Sequence, residues 1–309
     1  MNITKHIKSR FPIVLVDTSY VSFYGLHATE LWFKFAHKEL EPPENDWTEY
    51  ELFTDKYTEM YMKRFGNMFK KKAVKDLLNT KIKPIINVFT GKPKKVRSKG
   101  PLIPYNQFIC AMDCPRHKIW RTSDFKTYKA NRDKTYKSKK WKGSGILRYA
   151  HTTLVPELAK RHNFIVAKEP KLEGDDVIAL FHRYVRKVSP MKEIVIITND
   201  HDMLQLIDNN TTIINLKGQY LNNKGVGSGE ENLLMKVLCG DPSDNIKSAF
   251  PKCGKKTALK MIEDRVALEH KLNSNPTYRD NYEFNRKMID FNCIPQDLVD
   301  NFINKIEIK

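Results

Sequence analysis

No apolar run in the 309 residues approaches the ~20 needed to cross a bilayer as a helix. The opening MNITKHIKSRF has neither the apolar middle nor the small-residue cleavage site of a secretory leader. The expectation is therefore a soluble, intracellular protein without membrane contact. Cysteine is scarce and unpatterned: Cys110, Cys114, Cys239, Cys253 and Cys293 form an odd set with no C-x-x-C pair. That argues against a disulfide framework and against a zinc site. No internal repeat and no extended low-complexity segment interrupts the chain. Negative charge is in short supply, with 36 Asp and Glu against 54 Lys and Arg, a formal net charge of +18.

That excess of positive charge is the first clue to a partner. A field of this sign recruits polyanions, and nucleic acid leads the candidates. Evenly spread charge would mean little more than solubility, but this charge is clustered. Between Arg116 and Lys142, eleven Lys or Arg stand against two Asp, a net of +9 and half the chain total. A second basic knot, GKPKKVRSKGP, occupies residues 91–101.

With 40% hydrophobic residues, the chain can bury a sizeable core. Residues 12–17 (PIVLVD), 106–113 (NQFICAMD), 163–169 (NFIVAKE), 192–200 (KEIVIITND) and 211–216 (TTIINL) read as buried strands, and 82–89 (IKPIINVF) as a further one. Helical spacing predicts helices over 55–79, with a break near Gly66, over 144–162 and over 173–188. The basic stretch has few aliphatic residues and is expected to stand off the core. Strands alternating with helices imply an α/β fold, a mostly parallel central sheet covered on both faces. From residue 230 onward the chain reads as helical around the turn-rich GDPSDNIKSAFPKCGKK. The expected division is an α/β core over 1–228, including a basic projection at about 114–145, and a helical region over 229–309.

Three of these strands end in an acid: Asp17, Asp113 and Asp200. Ligands of open parallel sheets sit outside the carboxyl ends of the strands, so neighbouring strands would bring these acids together. LEGDD adds Glu173, Asp175 and Asp176 at a helix start. At 3.6 residues per turn Glu173 and Asp176 share a face, while Asp175 lies about 200° from Glu173. Shared use of Glu173 and Asp175 thus requires the helix to begin near Gly174. Clustered carboxylates raise one another's pKa unless cations neutralise them, and oxygen donors without a His or Cys cluster suit Mg²⁺ or Mn²⁺. Two such ions can hold a phosphodiester and activate water. Taken singly the acids have plainer roles, Asp176 and Asp202 as helix caps and Asp17 and Asp113 as turn residues. Those roles do not account for four elements delivering acids to one edge.

The ordered motifs LVDTSY, AMDCPRHKIWRTSDFKTYKANR, LEGDDVIAL, ITNDHDMLQL and LCGDPSDNI resemble the structure-specific 5′ nuclease family. That family comprises flap endonucleases, the 5′ nuclease domains of bacterial DNA polymerases and bacteriophage 5′ exonucleases. The ending FNRKMIDFNCIPQDLVDNFI is most similar to the bacteriophage ribonuclease H branch, which removes RNA primers. The resemblance runs from about residue 12 to 303 and is weakest over 25–104. It implies a PIN-like core, a helical arch and a helix-three-turn-helix. Asp17, Asp113, Glu173 and Asp175 would surround a first metal, and Asp200, Asp202 and Asp241 a second, with Asp175 shared. Asp176 and Asp244 match further acids of the bacterial and phage branch. Arg121 and Lys129 match cations that reach the scissile phosphate, where positive charge stabilises developing negative charge. Tyr128 would stack on a base and Arg132 would hold a backbone phosphate. Lys134 through Lys142 would supply only general attraction. Gly254, Lys255 and Lys256 would grip duplex phosphate at a helix start. Here the chain departs from the family, with Lys252, Cys253 and Gly254 in place of a G-x-G hairpin. The implied activity is metal-dependent 5′ to 3′ exonuclease and flap endonuclease cleavage of DNA and RNA-DNA duplexes, leaving 5′ phosphate and 3′ hydroxyl. The expected form is a monomer, working beside a single-strand-binding protein or sliding clamp. Two rivals remain: a DNA-junction module that has lost catalysis, whose acids should be missing, and a toprim-like two-metal fold, which wants Glu where Asp17 stands.

Overall fold

The computed structural model describes residues 3–68, 107–132 and 141–307. The expected strand at 82–89, the knot at 91–101 and Lys134 through Lys140 lie outside them. Five short strands form a parallel sheet: β1 (Ile13–Asp17), β2 (Phe108–Met112), β3 (Ile165–Lys168), β4 (Ile194–Ile197) and β5 (Thr211–Ile214), in the order β3-β2-β1-β4-β5. The first, second and fourth strands are buried along nearly their whole length, as continuous apolar runs require when both faces are covered. The α/β expectation holds. The three strands that end in acids are the three adjacent central ones, and the order reverses between β1 and β4, where such sheets open a crevice.

The helices, in chain order, are α1 (Thr4–Lys8), α2 (Thr18–Ala36), α3 (Glu51–Met68), α4 (Trp120–Asp124), α5 (Ser144–Tyr149), α6 (Val155–His162), α7 (Gly174–Val188), α8 (Gly229–Cys239), α9 (Lys255–Glu263), α10 (Arg265–Asn273), α11 (Pro276–Ile289) and α12 (Gln296–Glu307). Helices α2, α3 and α6 cover one face of the sheet, packing Val21, Phe53 and Leu158 with Val14 and Phe108. On the other face, Val177 and Phe181 of α7 meet Leu15, Ile109 and Ile196. Phe302 of α12 closes edge-on over Phe181, ring centroids 4.8 Å apart. Each such ring contributes about 1.5–3 kcal/mol by leaving water.

Four expectations need correction. Helix α3 runs through Gly66 to Met68 without a break; the rest of the expected helix lies outside the described residues. The helix expected over 144–162 widens to a π turn over Ala150–Leu154 between α5 and α6. Pro156 has no N–H to give the Thr152 carbonyl, which explains the widening. The run stops at Asn163, in the left-handed conformation with φ 54°. The boundary expected at 228/229 does not divide the core, because Val237, Ile246, Met288 and Phe302 join the same cluster as the sheet. A smaller cluster around Leu238, Phe250, Ala258 and Leu272 holds the C-terminal helices to one another. Finally, the front of the basic stretch does not stand off the core: Ile119, Trp120, Arg121, Tyr128 and Lys129 are all buried.

A carboxylate cavity at the sheet's carboxyl edge

Strand β1 runs directly into α2, so Asp17 serves as that helix's N-cap and accepts from the Tyr20 N–H at 2.9 Å. In the register Val16 pairs with Ile197, which brings Thr198 level with Asp17. Its hydroxyl donates to Asp17 Oδ2 at 2.8 Å. Asp113, just past β2, accepts from the Ser19 hydroxyl at 2.6 Å and from the Gly174 N–H at 2.7 Å. That contact requires α7 to start hard against the end of β2, and glycine permits it. A Cβ on residue 174 would meet Asp113 Oδ1 at 3.3 Å and the Ala111 carbonyl oxygen at 3.5 Å. The helix begins at Gly174, with Glu173 as N-cap in a capping box with Asp176.

Asp175 faces Asp17, Asp113 and Asp200. Burial first, and then the charges of Asp200 and Asp17, hold its carboxyl well above the usual range. Asp17 is pushed up to about 7, by burial and by Asp113 and Asp200. Asp200 caps the short 3-10 turn His201–Leu206 and accepts from the Asp202 N–H at 2.8 Å. Beyond Gly240 the chain turns sharply, φ +71°, and a Cβ there would strike the Lys247 backbone at 2.4 Å. The turn swings Asp241 and Asp244 under the sheet edge. One carboxylate oxygen from each of Asp202, Asp241 and Asp244 lies within 4.8 Å of the others.

Glu173, Asp175, Asp200, Asp202, Asp241 and Asp244 line one cavity of about 140 Å³, shared with Arg121, Lys129, Arg132 and Lys236. Asp17 and Asp113 do not line it but lie near enough for their charges to act on Asp175, which does. Seven carboxylates thus gather in two groups, Asp17, Asp113, Asp175 and Asp200 against the sheet, and Asp202, Asp241 and Asp244 against the turn. The donors are all oxygen, the chemistry of a hard divalent ion, and the raised values of Asp17 and Asp175 mark charge that the protein itself leaves uncompensated. The residues fit such ions.

Two expected ligands are engaged elsewhere. Asp176 is fully buried, and its oxygens accept from Arg121 Nη1 at 2.9 Å, Arg121 Nη2 at 2.8 Å, the Trp120 indole at 3.2 Å and the Glu173 N–H at 3.1 Å. It locks α7 to α4 and has no oxygen free for a metal. Glu173 lines the cavity but accepts from Arg121 at 3.0 Å, from the Tyr128 hydroxyl at 2.8 Å and from the Lys129 ammonium. Burial works against its charge, yet those cations hold its pKa below the ordinary value.

The expected DNA contacts change in the same way. Arg121 is 3% exposed and gives its Nε to the Met288 carbonyl at 2.7 Å, so every guanidinium nitrogen is taken. Its role here is to clamp α4, α7 and α11. The Tyr128 ring is buried, and its hydroxyl is shared between Glu173 and Asp244, 3.1 Å away, which removes it from stacking on a base. Lys129 adopts φ 55°, a costly conformation for a lysine, and its N–H donates to the Asp244 carbonyl at 3.2 Å. Asn131 and Asn245 tie the same turn to 242–245. Arg132 is nearly half exposed at the rim, 3.0 Å from Asp244. Gly254 caps α9 with open space around it, and Lys255 and Lys256 are exposed on that helix's first turn. Lys236 escaped the sequence reading altogether. It lies on α8 and bridges Asp202 and Asp241, and nothing in its local sequence separates it from other helix-surface lysines.

Residues 85–232 match the family model described as "5'-3' exonuclease, N-terminal resolvase-like domain". Ribonuclease H of Enterobacteria phage T4 is 27% identical over 238 residues, covering 71% of this chain and 74% of that protein. DNA polymerase I of Lactococcus lactis subsp. cremoris is 29% identical over 161 residues, 49% of this chain but only 17% of the polymerase. The fold is similar to a flap endonuclease of bacteriophage T5 solved as a pseudo-enzyme-product complex with DNA and metal ions, TM-score 0.57 and 15% identity, covering 94% of this chain and 96% of that one. It also matches T5 5′-exonuclease bound to divalent zinc ions, TM-score 0.55 and 14% identity, covering 95% and 97%.

Proposed function

We propose that the chain, similar to a 5′-3′ exonuclease domain and to a phage ribonuclease H, is a divalent-metal-dependent 5′ to 3′ exonuclease and flap endonuclease. It acts as a monomer on 5′ ends of DNA and RNA-DNA duplexes, removing RNA primers and 5′ flaps and leaving 5′ phosphate and 3′ hydroxyl. The observation that carries this reading is the gathering of seven carboxylates at the switch point of a parallel sheet in a chain of net charge +18.

Asp17, Asp113, Asp175 and Asp200 would hold one Mg²⁺ or Mn²⁺ ion, and Asp202, Asp241 and Asp244 a second. Ions in these places supply activation of water and neutralisation of charge on the phosphodiester. The remaining work belongs to the chain. Lys129, in the cavity wall beside Asp244, offers an ammonium to the scissile phosphate. Arg132 receives the backbone at the rim, and the start of α9, with Gly254, Lys255 and Lys256, receives duplex phosphate through backbone N–H groups and charge. The net charge of +18 draws the polyanion in.

The test is a 5′-labelled flap and a 5′-labelled RNA-DNA duplex, incubated with Mg²⁺ or with a chelator, using wild type and Asp200→Asn. Short 5′ products should form only with the metal, and the variant should release them at least about a hundredfold more slowly while still binding substrate. Cleavage that survives chelation would overturn the mechanism, and binding with no cleavage by wild type would favour a junction-binding role.

A further inference from the structure

The two carboxylate groups differ in what balances them. Asp17 and Asp113 accept only from hydroxyls and backbone N–H groups, Asp200 accepts from the Asp202 N–H, and among the described residues no lysine or arginine forms an ion pair with these three or with Asp175. In the second group a cation is already present. The Lys236 ammonium donates to Asp241 Oδ2 at 2.5 Å and to Asp202 Oδ1. Ser243 donates to Asp241 Oδ1 through its N–H at 2.9 Å and its hydroxyl at 2.7 Å, so Oδ2, the oxygen that Lys236 holds, is that residue's atom toward the cavity.

We propose that Lys236 is a built-in stand-in for the second divalent ion: its ammonium fills the gap between Asp202 and Asp241 and must leave when an ion binds there, so the second ion binds more weakly than the first. This rests on the metal-dependent reading above. A divalent ion reaches carboxylate oxygen at about 2.0–2.2 Å, which places it in the volume the ammonium now occupies. Two cations cannot share that gap. Lys236 can vacate it without repacking the fold, since about a quarter of its side chain, 26%, is exposed. It belongs to α8, which is held by Leu234, Val237 and Leu238 in the apolar clusters rather than by the ion pair. A displaced ammonium stays tethered at the cavity mouth, where a phosphate is the available counter-charge. The second site would therefore fill best when substrate is present.

The test uses the whole protein without DNA. Bound Mn²⁺ is counted by electron paramagnetic resonance along a titration, and in the same samples lysines are acetylated with a water-soluble active ester and read by peptide mass spectrometry. In chelator, Lys236 should react at least about tenfold more slowly than exposed Lys256, and its rate should rise about tenfold as the second ion binds, not the first. Lys236→Met should tighten the second ion at least about tenfold and leave the first unchanged, since an opposing charge at this range alters ion affinity by that order. If two ions bind wild type while Lys236 stays protected, and Lys236→Met leaves the second affinity as it was, the stand-in proposal is overturned and the metal-dependent reading stands. If neither protein binds Mn²⁺ in the cavity, that reading fails and this one with it.

Discussion

The Arg121 guanidinium grips both oxygens of the Asp176 carboxylate, Nη1 to Oδ2 at 2.9 Å and Nη2 to Oδ1 at 2.8 Å, with both side chains at most 3% exposed. A buried pair of this geometry is costly to break from one side, because the remaining charge has neither water nor a partner. Replacing Asp176 with alanine should lower unfolding free energy by about 3–5 kcal/mol in urea denaturation. The number of Mn²⁺ ions bound by the folded variant should be unchanged. Loss of an ion without loss of stability would return Asp176 to the ligand set.

Lys129 lines the cavity, paired with Glu173 and 3.6 Å from Asp244. Lys129→Ala should reduce the single-turnover cleavage rate by about a hundredfold or more, with substrate Kd raised by less than about threefold, since general attraction rests on many other cations. Equal losses in both would make it one phosphate contact among several.

Folded-state values of about 7 for Asp17 and about 6 for Asp202 lie above those of unfolded aspartate, about 3.9. Acids raised in this way contribute stability at low pH that is lost as pH rises from about 4 to about 7. Divalent ions reverse the effect by binding the ionised form, and must displace protons from these acids below about pH 7. The rise in Tm on adding Mg²⁺ should therefore be larger at pH 8 than at pH 5.5. An increment that shrinks with rising pH would contradict the assignment of these acids to metal.

Asp17, Asp113 and Asp200 were legible as convergent because parallel strands buried on both faces leave continuous apolar runs, and each acid ends such a run. Gly174 was legible as a helix start because only an early start reconciles Glu173 with Asp175. The fate of Arg121, Tyr128 and Lys129 was not. Their neighbourhood counts as a surplus of cations, and the acids that draw them inward, Glu173, Asp176 and Asp244, lie 44 to 116 residues further along the chain. Local composition predicts a solvated face, whereas tertiary pairing buries it. Lys236 was hidden for a related reason: its partners Asp202 and Asp241 are set by the sharp turn at Gly240 and by the 3-10 turn after β4, neither of which periodicity reports.

The central claim is that these carboxylates form one cavity divided into two places for divalent ions. Anomalous diffraction from crystals of the protein soaked in Mn²⁺ tests it most directly. The account predicts two peaks, one bounded by Asp17, Asp113, Asp175 and Asp200, the other by Asp202, Asp241 and Asp244 with Lys236 displaced from between them. An empty cavity at saturating Mn²⁺, or peaks that lie away from both groups, would contradict it.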